Sequence, residues 1–111
     1  MIAPVERLEA IRDDALALAD RLQSDMEAVA AARESANVDD EHDPEGSTIA
    51  YERSQLDAIR RSALERASDA RAALGRIGDG SFGRCERCAA RIGDARLQAR
   101  PTARLCIDCA R

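Results

Sequence analysis

The chain has 111 residues, 34% of them charged, with a formal net charge of −4 and 2% aromatics. That length fits one domain, or one domain with an extension, and so few rings exclude a large aromatic core. No apolar run approaches the ~20 residues of a membrane span, and Met1 to Glu9 shows no unbroken apolar export segment. The charge is unevenly spread. Residues 1–60 hold fifteen acids against six arginines, and residues 61–111 hold six acids against eleven arginines. An acidic arm on a mildly basic head is not the footprint of a general nucleic-acid binder. It suits a protein partner with a basic surface, or a bound metal.

From Val5 to Ala36 the apolar residues fall into heptads, and no Gly or Pro interrupts them. Leu8, Ala15, Leu22, Val29 and Ala36 take one seam position. Ile11, Leu18 and Ala32 take the other, with Asp25 as the exception beside Met26. This alternation indicates a coiled-coil helix. A second helix is expected from Pro44 to Ile77, with Asp43 as N-cap, Pro44 at N1 and Gly78 as the C′ residue. Its seam is Leu56, Ile59, Ala63, Ala70, Ala73 or Leu74, and Ile77. Only Asn37 to His42 is left between the helices, and a link that short predicts an antiparallel intramolecular hairpin. A dimerisation or spacer element is the plainer reading of the same pattern.

The link is rich in acids. Asp39-Asp40-Glu41-His42-Asp43-Pro44-Glu45 carries five carboxylates in seven residues. That density suits Mg²⁺ or a basic surface, and it equally suits a solvated loop with capping acids. His42, the only histidine, reads as a solvated loop residue. No Ser/His/Asp set, phosphate loop or Cys–His pair appears, so no enzyme is expected.

Four cysteines stand at Cys85, Cys88, Cys106 and Cys109, as two Cys-x2-Cys pairs seventeen residues apart. This is the spacing of a structural zinc site, in which four thiolates fill a tetrahedron and leave no open position for chemistry. Two disulfides or a redox pair are the alternatives. Ile92, Leu97 and Leu105 are the available apolar packers, with short strands expected around Arg96–Ala99. Arg100-Pro101-Thr102 reads as a turn, and Cys106 to Cys109 should open a helical turn. The expected architecture is therefore mainly α: a long antiparallel coiled-coil hairpin over 1–78, its acidic tip at 37–46, then a small four-cysteine zinc finger over 79–111.

The segment Arg76-Ile77-x5-Phe82-Gly83-x-Cys85-x2-Cys88, with Ile92-Gly93, Arg96-Leu97 and Ala99-Arg100-Pro101-Thr102-Ala103-x-Leu105-Cys106-Ile107-Asp108-Cys109, resembles the zinc-finger signature of the DksA/TraR family of bacterial transcription regulators. The hairpin is similar to theirs in length and heptad character. The resemblance implies a cytoplasmic protein that binds RNA polymerase, with one structural zinc ion and no DNA sequence read. The hairpin would enter the secondary channel and bring acidic tip residues near the catalytic Mg²⁺. Asp40 and Asp43 match the two acids of the family's Asp-x-x-Asp-x-Ala tip, while Glu45 stands where the Ala would be. Arg100 matches an arginine linked to the alarmone ppGpp, but Ala110 and Asp69 stand where lysines are expected, which weighs against ppGpp. The chain stops two residues after Cys109, without the helix that in the family helps dock the head on polymerase. A zinc-stabilised coiled-coil adaptor without polymerase activity is the alternative function.

Overall fold

In a computed structural model of the chain, the structure describes residues 3–36 and 44–111. The expected acids Asp40 and Asp43, and His42, lie outside the described residues. Four helices follow one another: α1 (Pro4–Ala36), α2 (Pro44–Asp79), α3 (Asp94–Ala99) and α4 (Ile107–Ala110). The described residues contain no strand, only an isolated antiparallel bridge between Arg84 and Arg91. Among them, no helix is long and apolar enough to cross a membrane.

The chain divides into two compact units, one of residues 1–14 and 66–111, the other of residues 15–65. In the first, the start of α1 packs on the end of α2. Leu8 is wholly buried against Ala70 and Ala73, with Ile11, Leu74, Ile77 and Phe82 around them. In the second unit, Ala15, Ala19, Leu22 and Ala63 are buried. Small residues dominate both seams, and a seam of Ala lets helices approach closely.

The structure shifts part of the expected pattern. On α2 the buried row is Ala63, Ala67, Ala70 and Ala73, whereas Ile59 is 47% exposed. Half-buried Arg60 takes the seam position instead, its guanidinium held 2.9 Å from Asp57 one turn back. Apolar stems of Arg cover helix surface readily while the charged end stays hydrated. α2 also runs past Gly78 and ends at Asp79, because the residue with left-handed φ is Gly80, at +83°. The backbone N–H groups of Ser81 and Phe82 both donate to the Arg76 carbonyl, at 2.9 and 3.1 Å, closing the helix end. Asp79 accepts hydrogen bonds from the Ser81 hydroxyl and backbone N–H, which hold its carboxyl below the usual value.

Leu8 is the largest fully buried side chain of its cluster and has no exposed surface. Leu8→Ala should cost about 2–5 kcal/mol of stability, as a cavity opens against alanines that cannot extend to fill it. Urea unfolding followed by circular dichroism measures this, and a change under about 0.5 kcal/mol contradicts the assigned packing.

Candidate metal centre

Two backbone turns bring the cysteines together. In the first, the Cys85 N–H donates to the Ala90 carbonyl at 2.8 Å and the Ala89 N–H donates to the Cys85 carbonyl at 3.0 Å. This folds the chain back after Cys88 and forces Ala89 to φ +63°, a left-handed conformation that a Cβ disfavours. In the second, Cys106 is the N-cap of α4, and the Ala110 N–H donates to its carbonyl at 3.0 Å. The expected helical turn at Cys106–Cys109 is therefore present. The Glu86 N–H donates to the Arg104 carbonyl at 3.0 Å and joins the two turns.

The short strands expected around Arg96–Ala99 are not there. This segment is α3, with Asp94 in its first turn. Ala95, Arg96, Leu97, Gln98 and Ala99 are good helix formers, with no β-branched residue among them. Arg96 Nε donates to the Leu105 carbonyl at 2.9 Å and so fastens α3 to the second cysteine turn. Arg87 reaches the Cys109 carbonyl at 3.3 Å. Of the turn expected at Arg100-Pro101-Thr102, Pro101 and Thr102 form a turn and Arg100 caps α3.

All four sulfurs lie within 4.8 Å of one another, and none is in a disulfide. Cys88 Sγ and Cys106 Sγ are 3.8 Å apart. A tetrahedron with bonds of about 2.3 Å has edges of about 3.8 Å, so this separation is that of two thiolates on one zinc ion. Cys85 is 2% exposed and Cys88 is exposed, so one side of the cluster faces the finger's interior and the other faces water. The thiols differ in acidity. Hydrogen bonds from the backbone of Cys106 and of Cys88 lower Cys85 to about 6. Hydrogen bonding with Cys106, then desolvation, pushes Cys109 up to about 12. Four sulfurs this close cannot all ionise without a cation among them. The donor set and its geometry thus suit one structural zinc ion, which when bound supplies a fixed cross-link between the turns.

The remaining expected site residues lie elsewhere. Arg100 is exposed and donates its backbone N–H to the Arg96 carbonyl, closing α3. Asp69 is ion-paired with Arg104 at 3.8 Å, both about half exposed. Glu45 is in the first turn of α2. Two features escaped the sequence reading: the strained Ala89, and the Arg84–Arg91 bridge that opposes two arginines. A residue following a Cys-x2-Cys pair is a position where tight turns favour glycine, so a signal for Ala89 existed in the spacing.

Two long helices followed by a compact four-cysteine finger define a class of helical C4 zinc-finger proteins. Residues 80–111 match the prokaryotic DksA/TraR C4-type zinc finger. The chain is 61% identical over 36 residues to the RNA polymerase-binding transcription factor DksA of Buchnera aphidicola from Schizaphis graminum. It is 58% identical over 36 residues to DksA of Escherichia coli K12. In each case the match takes in 32% of this chain and spans 24% of the relative's length. The fold is similar to that of the transcription factor DksA2 from Pseudomonas aeruginosa, with a TM-score of 0.58 and 24% identity over 95% of this chain and 81% of that one.

Cys106→Ser should lower bound zinc well below one ion per chain and unfold the finger, since site assembly and folding are one process in such modules. Metal analysis together with amide exchange over residues 80–111 reads both effects. A zinc-poor variant with a protected finger would sink the structural role. Ala89→Gly should stabilise the finger by about 0.5–1 kcal/mol, because the left-handed strain relieved exceeds the added freedom of the unfolded chain. Slower loss of zinc to a chelator is the corresponding readout.

Proposed function

We propose that this protein is a non-enzymatic transcription regulator that binds RNA polymerase. The observation that carries this reading is the finger: its sequence is more than half identical to the corresponding segment of relatives named for RNA polymerase binding. In this proposal Cys85, Cys88, Cys106 and Cys109 hold one zinc ion that keeps the finger, residues 79–111, in shape. The hairpin, residues 1–78, enters the polymerase secondary channel, and its acidic tip modulates initiation. No DNA sequence is read, and the site of action is the bacterial cytoplasm.

The chemistry of the tip follows from its charges. Asp40 and Asp43 are the principal acids and Glu45 a weaker third. Carboxylates near Mg²⁺ compete for or reshape its coordination, since the ion prefers hard oxygen ligands in octahedral geometry. They also accept hydrogen bonds from Arg or Lys of a channel wall. Arg100, exposed at the end of α3, is available for a further anionic contact. The ion pair of Asp69 with Arg104 ties up the position where ppGpp recognition would call for a lysine, so the regulation proposed here does not depend on that alarmone.

Asp40→Asn combined with Asp43→Asn keeps side-chain size and removes two charges. The double variant should still bind core RNA polymerase but lose most of the parent's effect on promoter-complex lifetime in a purified transcription system. An unchanged effect would remove the tip from the mechanism. Failure of the parent to bind polymerase would remove the proposal itself and leave the zinc-stabilised adaptor.

A further inference from the structure

The first unit contains an open cavity of about 960 Å³ that the zinc site and the acidic tip do not use. Its apolar lining includes Phe82, Ile92, Leu97 and Pro101, and Ile92 is only 2% exposed, so the floor is closed. Arg7, Arg84 and Arg91 line it as well, with Asp94 as the single acid. Arg7 donates to the Gln98 carbonyl, which fastens the first turn of α1 to α3 and makes a fixed wall.

Arg84 and Arg91 differ from four other arginines of the finger and its base. Arg76, Arg87 and Arg96 each donate to a backbone carbonyl, and Arg104 pairs with Asp69. The guanidinium groups of Arg84 and Arg91 have no acceptor among the described residues, and both residues are exposed. They are also direct partners across the isolated antiparallel bridge. Residues opposed in this way project to the same face with Cβ atoms about 4.5–5.5 Å apart, and like charges there destabilise the pair. Both line the same cavity. The bridge therefore opposes two like charges that form no ion pair among the described residues.

We propose that this cavity is a docking groove for an acidic peptide segment of a protein partner, with carboxylates on Arg84 and Arg91 and an apolar side chain seated against Phe82 and Leu97. A carboxylate meets a guanidinium through two parallel hydrogen bonds, and two adjacent guanidinium groups take two carboxylates of one segment. The apolar floor adds an anchor position, the usual arrangement of a concave site with a few convergent polar groups. A nucleic-acid backbone would satisfy the arginines but leave the apolar floor without a partner. This groove uses none of the expected tip acids, so it stands or falls independently of the polymerase reading.

The test uses the zinc-loaded full chain and a fluorescein-labelled peptide of alternating Glu and Leu around one Phe. Fluorescence anisotropy should show saturable binding that weakens about tenfold or more when the peptide's Glu residues become Gln, or when the protein carries Arg84→Gln with Arg91→Gln. Raising salt from about 0.05 M to about 0.5 M should weaken it too. Arg91→Glu adds a second readout. It should abolish peptide binding yet slow the finger's loss of zinc to a chelator, because a like-charge pair becomes an opposite-charge pair. The proposal is overturned if no saturable binding is found, if the Gln peptide or the double variant binds equally well, if a single-stranded RNA oligonucleotide binds tighter than the acidic peptide, or if Arg91→Glu leaves zinc loss unchanged.

Discussion

The finger depends on one constraint: four sulfurs held within 4.8 Å of one another. Thiolates that close repel, so the arrangement is stable only with a cation at its centre or with protons on most of the sulfurs. Backbone hydrogen bonds from Cys106 and Cys88 lower Cys85 to about 6, while hydrogen bonding with Cys106 and then desolvation raise Cys109 to about 12, so the four sulfurs are not equivalent. Little else is available to hold the finger. Between Gly80 and Arg111 its buried hydrophobic residues are Cys85 and Ile92, with Pro101 also buried. A segment this small cannot oppose its conformational entropy by apolar burial, and a structural ion supplies the difference.

The finger is nonetheless continuous with the base of the hairpin. Arg76 donates to the Thr102 carbonyl at 3.4 Å, Arg104 pairs with Asp69 at 3.8 Å, and Arg7 reaches the Gln98 carbonyl. Phe82 packs against the cluster built on Leu8, Ala70 and Ala73. These contacts join three stretches that are far apart in sequence. Individually the polar ones are weak, since exposed ion pairs contribute little. Their geometric effect is larger: they set which faces of α3 and of the cysteine turns look outward, and so present Arg84, Arg91 and Arg100 to solvent.

The features legible in sequence were those with a rigid chemical requirement. Cysteine spacing reveals a metal site because thiolates must converge on one point, and the structure brings together the same four residues. Heptads revealed both long helices because burial repeats with the helical period. What sequence left ambiguous lay where several side chains can satisfy one environment. Ile59 and Arg60 are adjacent, and either can border a seam, since an arginine stem is apolar and its end can pair with Asp57. Gly78 and Gly80 both offered a helix stop, and only the closing hydrogen bonds to Arg76 decide for Gly80. The segment 96–99 was misread as strand because Ile92, Leu97 and Leu105 are too few to show a period. Its conformation is set by residues good at forming helix and by the bond from Arg96 to Leu105. The opposed arginines were invisible, because their pairing depends on a bridge closed by the Ile92 N–H donating to the Gly83 carbonyl at 2.7 Å.

Gly83 links the fold to that surface. Its φ of +85° lies where only glycine is unstrained, and a Cβ added there would sit 3.6 Å from Leu97 Cδ1. Space therefore does not forbid a side chain, but backbone conformation does. The turn it permits sends Arg84 to face Arg91 and leads directly into Cys85, so one residue serves both the cation site on one side and the arginine pair on the other. A stabilising negative partner at the bridge would have been available by a single acidic residue at position 84 or 91. The chain instead keeps two positive charges opposed beside an apolar cavity. Natural surfaces retain such local conflicts chiefly at sites that act on something outside the chain.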